Sequence, residues 1–182
     1  DVGRFNTAWK HVFASDPALR LVLGVDDRNP ILIISADAPV LERLRIPAAE
    51  VDSCVKEWID QQRAAMHNPG QNLITGAVIT VEDDRHIFLL GCNHIVSDGT
   101  SSNLILNRLF TTYLGKPVGP SDGVQGARRV VQDYLDSPAY ETDRAFWAQY
   151  VDRLEELCPA EPERLGLRVD VHHLTRKFND RI

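Results

Sequence analysis

The sequence predicts an α+β fold in which a mixed, mostly antiparallel sheet is backed by helices. Segments with helical spacing of apolar residues alternate with short β-rich runs, in the order helix, hairpin, helix, hairpin, helix, helix, strand. The two runs of each hairpin are separated by a short polar turn. One run is apolar on both faces, which is typical of a strand that is covered on both sides.

The first half of the chain contains two helices and a hairpin. Apolar residues at helical spacing predict an amphipathic helix over residues 4–14. Leu19–Leu23 and Ile31–Ile34 flank a polar turn and predict the first hairpin. A second helix is predicted from Pro47 to about Met66, with its apolar stripe facing inward.

The middle of the chain contains the strands expected at the centre of the sheet. Leu73–Val81 and Ile87–Cys92 flank a tight polar turn, and the second strand should be the central one because both of its faces are apolar. Hydroxyl side chains at residues 100–102 offer an N-cap for a helix that ends at Gly115. A loop rich in glycine, proline and serine follows over residues 115–127.

The chain closes with a long helix and a short strand. Ser137 and Pro138 are a favourable N-cap and first residue for a helix that extends to about Leu157. Apolar residues alternate over Leu167–Val171 and predict a last strand, whose partner is not evident in this sequence.

The composition argues against several kinds of partner. The net charge is −6, from 26 acidic and 20 basic residues, and no basic stripe is visible, so nucleic acid and anionic membranes are unfavourable partners. No apolar run approaches the ~20 residues that span a membrane. The cysteines are widely spaced and form neither a disulfide framework nor a metal-binding pattern (Cys54, Cys92 and Cys158). Reduced thiols fit a cytoplasmic protein, and no metal site is expected.

The residues that carry chemistry lie between the second central strand and the next helix. His94 stands at the strand end, where its side chain can point into a cleft, and imidazole takes up a proton near neutral pH. Such a histidine can act as general base toward an amine or a hydroxyl, and an activated thioester needs no serine or cysteine nucleophile. A buried aspartate needs a cation, so Asp98 should pair with an arginine and fix the turn. Gly99 permits a backbone conformation that other residues resist.

Residues 93–99 carry a resemblance to a known family. The segment Asn93-His94-Ile95-Val96-Ser97-Asp98-Gly99 resembles the His-His-x-x-x-Asp-Gly motif of condensation domains from nonribosomal peptide synthetases. Residues 16–20 are similar to the family's His-Pro-x-Leu-Arg segment. Tyr134 and the helix with Phe146-Trp147 resemble the segment that closes its first lobe. The resemblance covers residues 4–157 in the family's order.

The resemblance implies an activity and a set of partners. It implies a chloramphenicol-acetyltransferase-like lobe that forms an amide bond between a carrier-bound acyl or peptidyl thioester and an acceptor amine. His94 maps to the catalytic residue, while Asp98 is implied to be structural and paired with an arginine, for which Arg20 is the candidate. The implied partners are carrier proteins, one of which brings the phosphopantetheine thioester, and the C-terminal lobe of the same domain. No cofactor bound by this chain is implied.

The chain is too short for a complete domain of that family. We expect residues 1–160 to be the N-terminal lobe, and residues 161–182 to be a linker and first strand that lead toward a second lobe. Asn93 replaces the motif's first histidine. Because neighbouring strand residues point to opposite faces, Asn93 is expected to support the site while facing away from the substrate.

Several alternatives stay open at the level of sequence. Ser97 and Ser101 could bond a substrate carbonyl, although Ser101 is more simply a helix cap. A related acyltransferase could instead esterify a hydroxyl, using acyl-coenzyme A or an acyl-carrier thioester, as in polyketide-associated and wax-ester enzymes. A third possibility is a catalytically silent lobe that docks carrier proteins.

Overall fold

A computed structural model describes residues 1–27, 29–82 and 85–157, with side chains through Val151. The chain divides into two compact units, Asp1–Val131 and Gln132–Ile182. The described residues form helices α1 Val2–Ser15, α2 Val51–Ala65, α3 Gly99–Tyr113, α4 Gly123–Leu135 and α5 Pro138–Leu157, and strands β1 Leu21–Asp26, β2 Asn29–Ile34, β3 Leu41–Ile46, β4 Ile74–Val81 and β5 Arg85–Cys92. Short 3₁₀ turns occupy Pro17–Arg20 and Ala48–Glu50.

The strands form two sheets of different type. β1 and β2 pair antiparallel, from Leu21 opposite Ile34 to Asp26 opposite Asn29. β3, β4 and β5 form a mixed sheet in that order, with β4 parallel to β3 and antiparallel to β5. The predicted α+β class and the two hairpins are therefore confirmed.

The central strand of the mixed sheet is β4, which corrects the prediction for Ile87–Cys92. Six of the eight residues of β4 are buried, whereas β5 is half-buried or exposed and lies at an edge of the described sheet. Both strands are rich in apolar residues, so their composition does not distinguish the one that acquires a third neighbour. The central strand could not be identified without the position of β3. This strand pairs with β4, from which it is separated in sequence by a long connection.

Two described elements were not predicted. β3 contains Glu42, Arg43 and Arg45, and charged residues obscure its alternation while being typical of an edge strand. α4 begins inside the predicted loop 115–127, because Gly123 looks like a turn residue in sequence and does adopt a positive φ of 51° at the helix start. No α4 residue is buried in the described structure.

The core lies between α1, α3 and the mixed sheet. Trp9 at its centre has no exposed surface, stacks on Phe13 at a centroid distance of 3.9 Å, and donates from Nε1 to the Pro39 carbonyl at 2.7 Å. The other buried members of this cluster are Phe5, Ala8, Val12, Leu19, Leu41, Ile74, Val78, Ile105 and Leu109. This packing fixes β4, and through it β5, against the helices.

Gly76 on β4 gives Trp9 its space and provides a first prediction. A Cβ at Gly76 would lie 2.6 Å from Cη2 and 2.8 Å from Cζ3 of Trp9, closer than these atoms can approach. Gly76→Ala should therefore lower the free energy of unfolding by about 1–3 kcal/mol, measured by urea titration, because the indole must leave its site. Gly119→Ala is the control, since a Cβ there meets no atom within 4 Å. Equal stability of both variants would contradict this account of the core.

None of the described helices has the length and apolar character needed to cross a membrane. The predicted strand at 167–171 and the predicted lobe boundary at residue 160 lie outside the described residues and stay predictions.

Candidate active site

The candidate site is a turn of six residues between a strand and a helix. β5 ends at Cys92, and α3 begins at Gly99 with Asp98 as its N-cap. The backbone N–H of Asn93 donates to the Leu73 carbonyl at 2.8 Å, which attaches the start of the turn to the residue before β4. The turn therefore leaves the sheet at a defined point, as the sequence pattern predicts.

Asn93 organises this turn with its backbone and its side chain. Its carbonyl accepts from the Val96 N–H at 3.1 Å, and its Oδ1 accepts from the Ile95 N–H at 3.0 Å. Its Nδ2 donates to the carbonyl of Met66, after the end of α2, at 3.4 Å. The side-chain amide of Asn93 thus bonds both a backbone N–H inside the turn and a backbone carbonyl outside it. These two bonds are a local reason for an asparagine at this position.

His94 lies at the outer side of the turn. Its side chain is exposed, whereas that of Asn93 is half-buried. Within the part of the chain that the structure describes, the His94 ring makes no hydrogen bond to another residue. An imidazole presented in this way can accept a proton from a group brought to it.

Asp98 is the N-cap of α3, a role that the sequence analysis gave to the hydroxyls at 100–102. Its Oδ1 accepts from the Ser101 N–H and from the Ser101 hydroxyl, both at 2.7 Å. These two hydrogen bonds hold the pKa of the Asp98 carboxyl below its ordinary value. Ser101 therefore acts as a partner in the helix cap, the simpler of its two expected roles.

The expected ion pair between Asp98 and Arg20 is not formed, which is a correction. Asp98 is exposed, and its Oδ1 accepts two hydrogen bonds from Ser101 at the N-terminus of α3, so it needs no cation. Arg20 instead donates from Nη1 to the Ser35 carbonyl and to the Ala36 carbonyl, the latter at 3.0 Å. Arg20 thus holds the segment that follows β2 and lies outside the His94 turn.

Gly99 also differs from its expected role. Its φ lies outside the left-handed region, and a Cβ added there would meet no atom within 4 Å. The described residues therefore give no steric reason for glycine at this position.

A polar contact beneath the turn was not predicted from the sequence. Ser97 is buried, and its hydroxyl donates to the Asn93 carbonyl at 3.1 Å, which differs from the expected contact with a substrate carbonyl. Burial raises the pKa of the Cys92 thiol, and hydrogen bonds with Ser102 and Ser97 partly offset that rise. The spacing of residues 92, 97 and 102 indicated no such contact, because it arises only where strand, turn and helix meet.

A metal centre has no basis in the described residues. No group of three or more histidine, cysteine, aspartate or glutamate side chains there could hold a metal ion. An exposed side chain at the turn is the imidazole of His94, a group that exchanges protons near neutral pH.

The helix cap leads to a prediction about pH. Because the pKa of Asp98 is lowered in the folded state, its ionised form stabilises the fold above the unfolded pKa of about 3.9, and this contribution is lost as pH falls through the lower folded value. Asp98→Asn retains an acceptor for Ser101 and loses the charge. The variant should melt below wild type at pH 7, and the gap in Tm should be smaller at pH 3, below the unfolded pKa of about 3.9. A gap that is equal at both pH values would contradict the charged cap.

Comparison with known proteins agrees with the motif. The family model described as "Condensation domain" matches residues 1–178. Bacitracin synthase 3 of Bacillus licheniformis is 26% identical over 66% of this chain, and cyclo-acetoacetyl-L-tryptophan synthase of Aspergillus oryzae is 27% identical over 98%. The solved first condensation domain of the calcium-dependent antibiotic synthetase, in complex with a substrate analogue, is 27% identical, with a TM-score of 0.60 over 84% of this chain.

The shared region is a small part of those proteins. This chain spans 2% of bacitracin synthase 3, 5% of the Aspergillus protein and 39% of the solved condensation domain. The structural match confirms the predicted fold. Because the family model covers nearly every residue, this chain belongs to the Condensation domain family.

Proposed function

We propose that this chain is the N-terminal lobe of a condensation domain that forms an amide bond in nonribosomal peptide synthesis. The donor would be an acyl or peptidyl thioester on a carrier protein, and the acceptor an amine. The observation that carries the proposal is the exposed imidazole of His94 at the end of β5, on the turn that matches the family's motif.

The proposed reaction needs one proton acceptor at the reacting amine. The amine nitrogen attacks the thioester carbonyl carbon, the carbon–sulfur bond breaks, and the phosphopantetheine sulfur leaves as a thiolate, which becomes a thiol by taking up the proton that the amine loses. His94 takes the proton that the amine loses, or orients the amine through the same nitrogen. The exposed ring and the absence of an ion pair on it within the described residues support this role.

The remaining residues would support the turn. Asn93 anchors it to the residue before β4 and to the end of α2, and Asp98 caps the following helix. A lobe that spans 39% of a solved condensation domain leaves His94 open to water, so we propose that a C-terminal lobe completes the site and excludes water. Residues 1–160 would be the lobe, and residues 161–182 would lead to its partner.

The proposal is tested by comparing donors and acceptors in the full-length protein that contains this chain. A donor carrier protein loaded with an acyl thioester is mixed with an acceptor carrier that bears an amino acid or the matching hydroxy acid. A parallel reaction supplies the same acyl group on coenzyme A. Intact-protein mass spectrometry follows the acyl group onto the acceptor.

Each result separates one function from another. The proposal predicts an amide on the amino acid acceptor and little product from coenzyme A. Product from the hydroxy acid alone, or from coenzyme A alone, would identify an O-acyltransferase instead. A protein that binds loaded carriers and yields no product would be a silent docking lobe, which the change to Asn93 would then explain.

A further inference from the structure

A small polar cluster lies beneath the His94 turn, and we name it the turn cluster: Cys92, Ser97 and Ser102. Cys92 is the last residue of β5, Ser97 is in the turn, and Ser102 is in the first turn of α3. The Ser102 and Ser97 hydroxyls lower the pKa of the Cys92 thiol against the rise that burial causes, which places all three side chains close together. Side chains from a strand, a turn and a helix thus meet beneath the site.

The two serines hold the two ends of the turn. The Ser97 hydroxyl donates to the carbonyl of Asn93, directly before His94, at 3.1 Å. The Ser102 hydroxyl donates to the carbonyl of Asp98, the last residue of the turn, at 3.0 Å. Because the Ser97 side chain is only 8% exposed, its hydroxyl proton serves the turn and is not presented to a bound molecule.

The position of a catalytic base is critical to its efficiency. A displacement of about 1 Å can lower a rate about 100-fold even when the base itself is intact. His94 makes no side-chain hydrogen bond within the described residues, so its position is set by its backbone. The bonds that fix residues 93 and 98 therefore hold the backbone segment from which the imidazole projects.

We propose that Ser97 is a positioning residue for His94, which it holds through the Asn93 carbonyl with Cys92 and Ser102 as its neighbours in the turn cluster. This inference rests on the function proposed above. It assigns Ser97 to the geometry of the base, so its loss should change turnover more than substrate binding.

Cys92 provides a readout that does not depend on activity. Cys92 is half-buried at the start of the turn, and burial raises the pKa of its thiol, so its alkylation should become faster when the turn opens. Removing the Ser97 hydroxyl should make opening about 3- to 10-fold more frequent, since a net hydrogen bond contributes an equilibrium factor of that size. Iodoacetamide labelling of the native full-length protein should rise at Cys92 by up to the same factor, since a half-buried thiol also reacts slowly while the turn is closed. Peptide mapping separates this site from Cys54 and Cys158.

The test variant is Ser97→Ala, and Ser53→Ala is its matched control. Ser53 on α2 makes a similar hydroxyl-to-carbonyl bond, to Glu50 at 2.9 Å, away from the turn. We expect Ser97→Ala to lower kcat about 10- to 100-fold with KM within about twofold, and to raise Cys92 labelling. The control should leave both unchanged. If Ser97→Ala does not fold, Ser102→Ala replaces it and should move both readouts in the same direction.

The outcomes distinguish this inference from the proposed function. A raised KM with unchanged kcat and labelling would overturn positioning and assign Ser97 to substrate binding. Unchanged labelling with a lower kcat would overturn it as well, because the turn would then be intact. If the wild-type protein forms no product, the proposed function fails, and unchanged labelling would then separately overturn the claim that Ser97 holds the turn.

Discussion

Replacing His94 by alanine is expected to lower the kcat of amide formation by about 100- to 10,000-fold, the range that a positioned general base contributes. The side chain is exposed at the end of β5, and its removal takes away no hydrogen bond within the described residues. The fold and the docking of carriers should therefore survive the change. KM for the loaded acceptor carrier should remain close to that of wild type, and the rate is measured from product formed in the full-length protein.

His86→Ala is the matched control for this prediction. His86 is an exposed histidine on β5, the strand that leads into the His94 turn, and its Nδ1 contacts the Thr80 hydroxyl on the neighbouring strand β4 at 3.2 Å. Removing the His86 side chain should leave kcat within about twofold of the wild-type value, since His86 lies outside the turn. Equal losses in both variants would indicate damage to β5 and would remove the case for His94 as the base.

Trp9→Ala is expected to lower the free energy of unfolding by about 3–5 kcal/mol, the range for a fully buried large aromatic residue. Trp9 is 0% exposed, and its loss leaves a cavity beside Phe13 and an unpaired carbonyl at Pro39. Urea titration of the full-length protein should show a lower midpoint for the transition of this lobe. The loss in free energy of unfolding should be larger than for Gly76→Ala. Neighbouring side chains cannot fill a cavity the size of an indole, whereas a shift of the indole can relieve the clash with one added methyl group.

Trp147→Ala provides the comparison for Trp9. Trp147 on α5 is 57% exposed and contacts Phe146 and Tyr150 through its ring. Its replacement should change the free energy of unfolding by less than about 1 kcal/mol. If Trp147→Ala were the more destabilising of the two, the core would not be centred on α1 and β4.

The parts of the fold that sequence predicted well are those with local signals. The amphipathic spacing of α1 and the Ser137-Pro138 start of α5 gave both helices nearly to the residue. The step from β5 to a turn and then to a capped helix was also predicted, because the strand run stops just before His94. Such features depend on neighbours in sequence, so no knowledge of the tertiary structure is required.

The predictions that failed concern features that depend on contacts between residues far apart in the sequence. β3 is stabilised by parallel pairing with β4 about 35 residues on, from Leu41 opposite Gly76 to Ile46 opposite Val81, and half of its own residues are charged. The Asp98–Arg20 pair was expected because Asp98 was taken to be buried, whereas it is an exposed helix cap. Exposure of a single aspartate is not encoded locally, and the same sequence pattern fits either state.

The central claim is that His94 enables transfer of an acyl group to an amine. The most direct measurement is a single turnover of the full-length wild-type protein and its His94→Ala variant with preloaded donor and acceptor carriers, followed by mass spectrometry. We predict that wild type transfers the acyl group to the acceptor and that the variant leaves it on the donor over the same time. Transfer by the variant at the wild-type rate, or no transfer by either protein, would contradict the account.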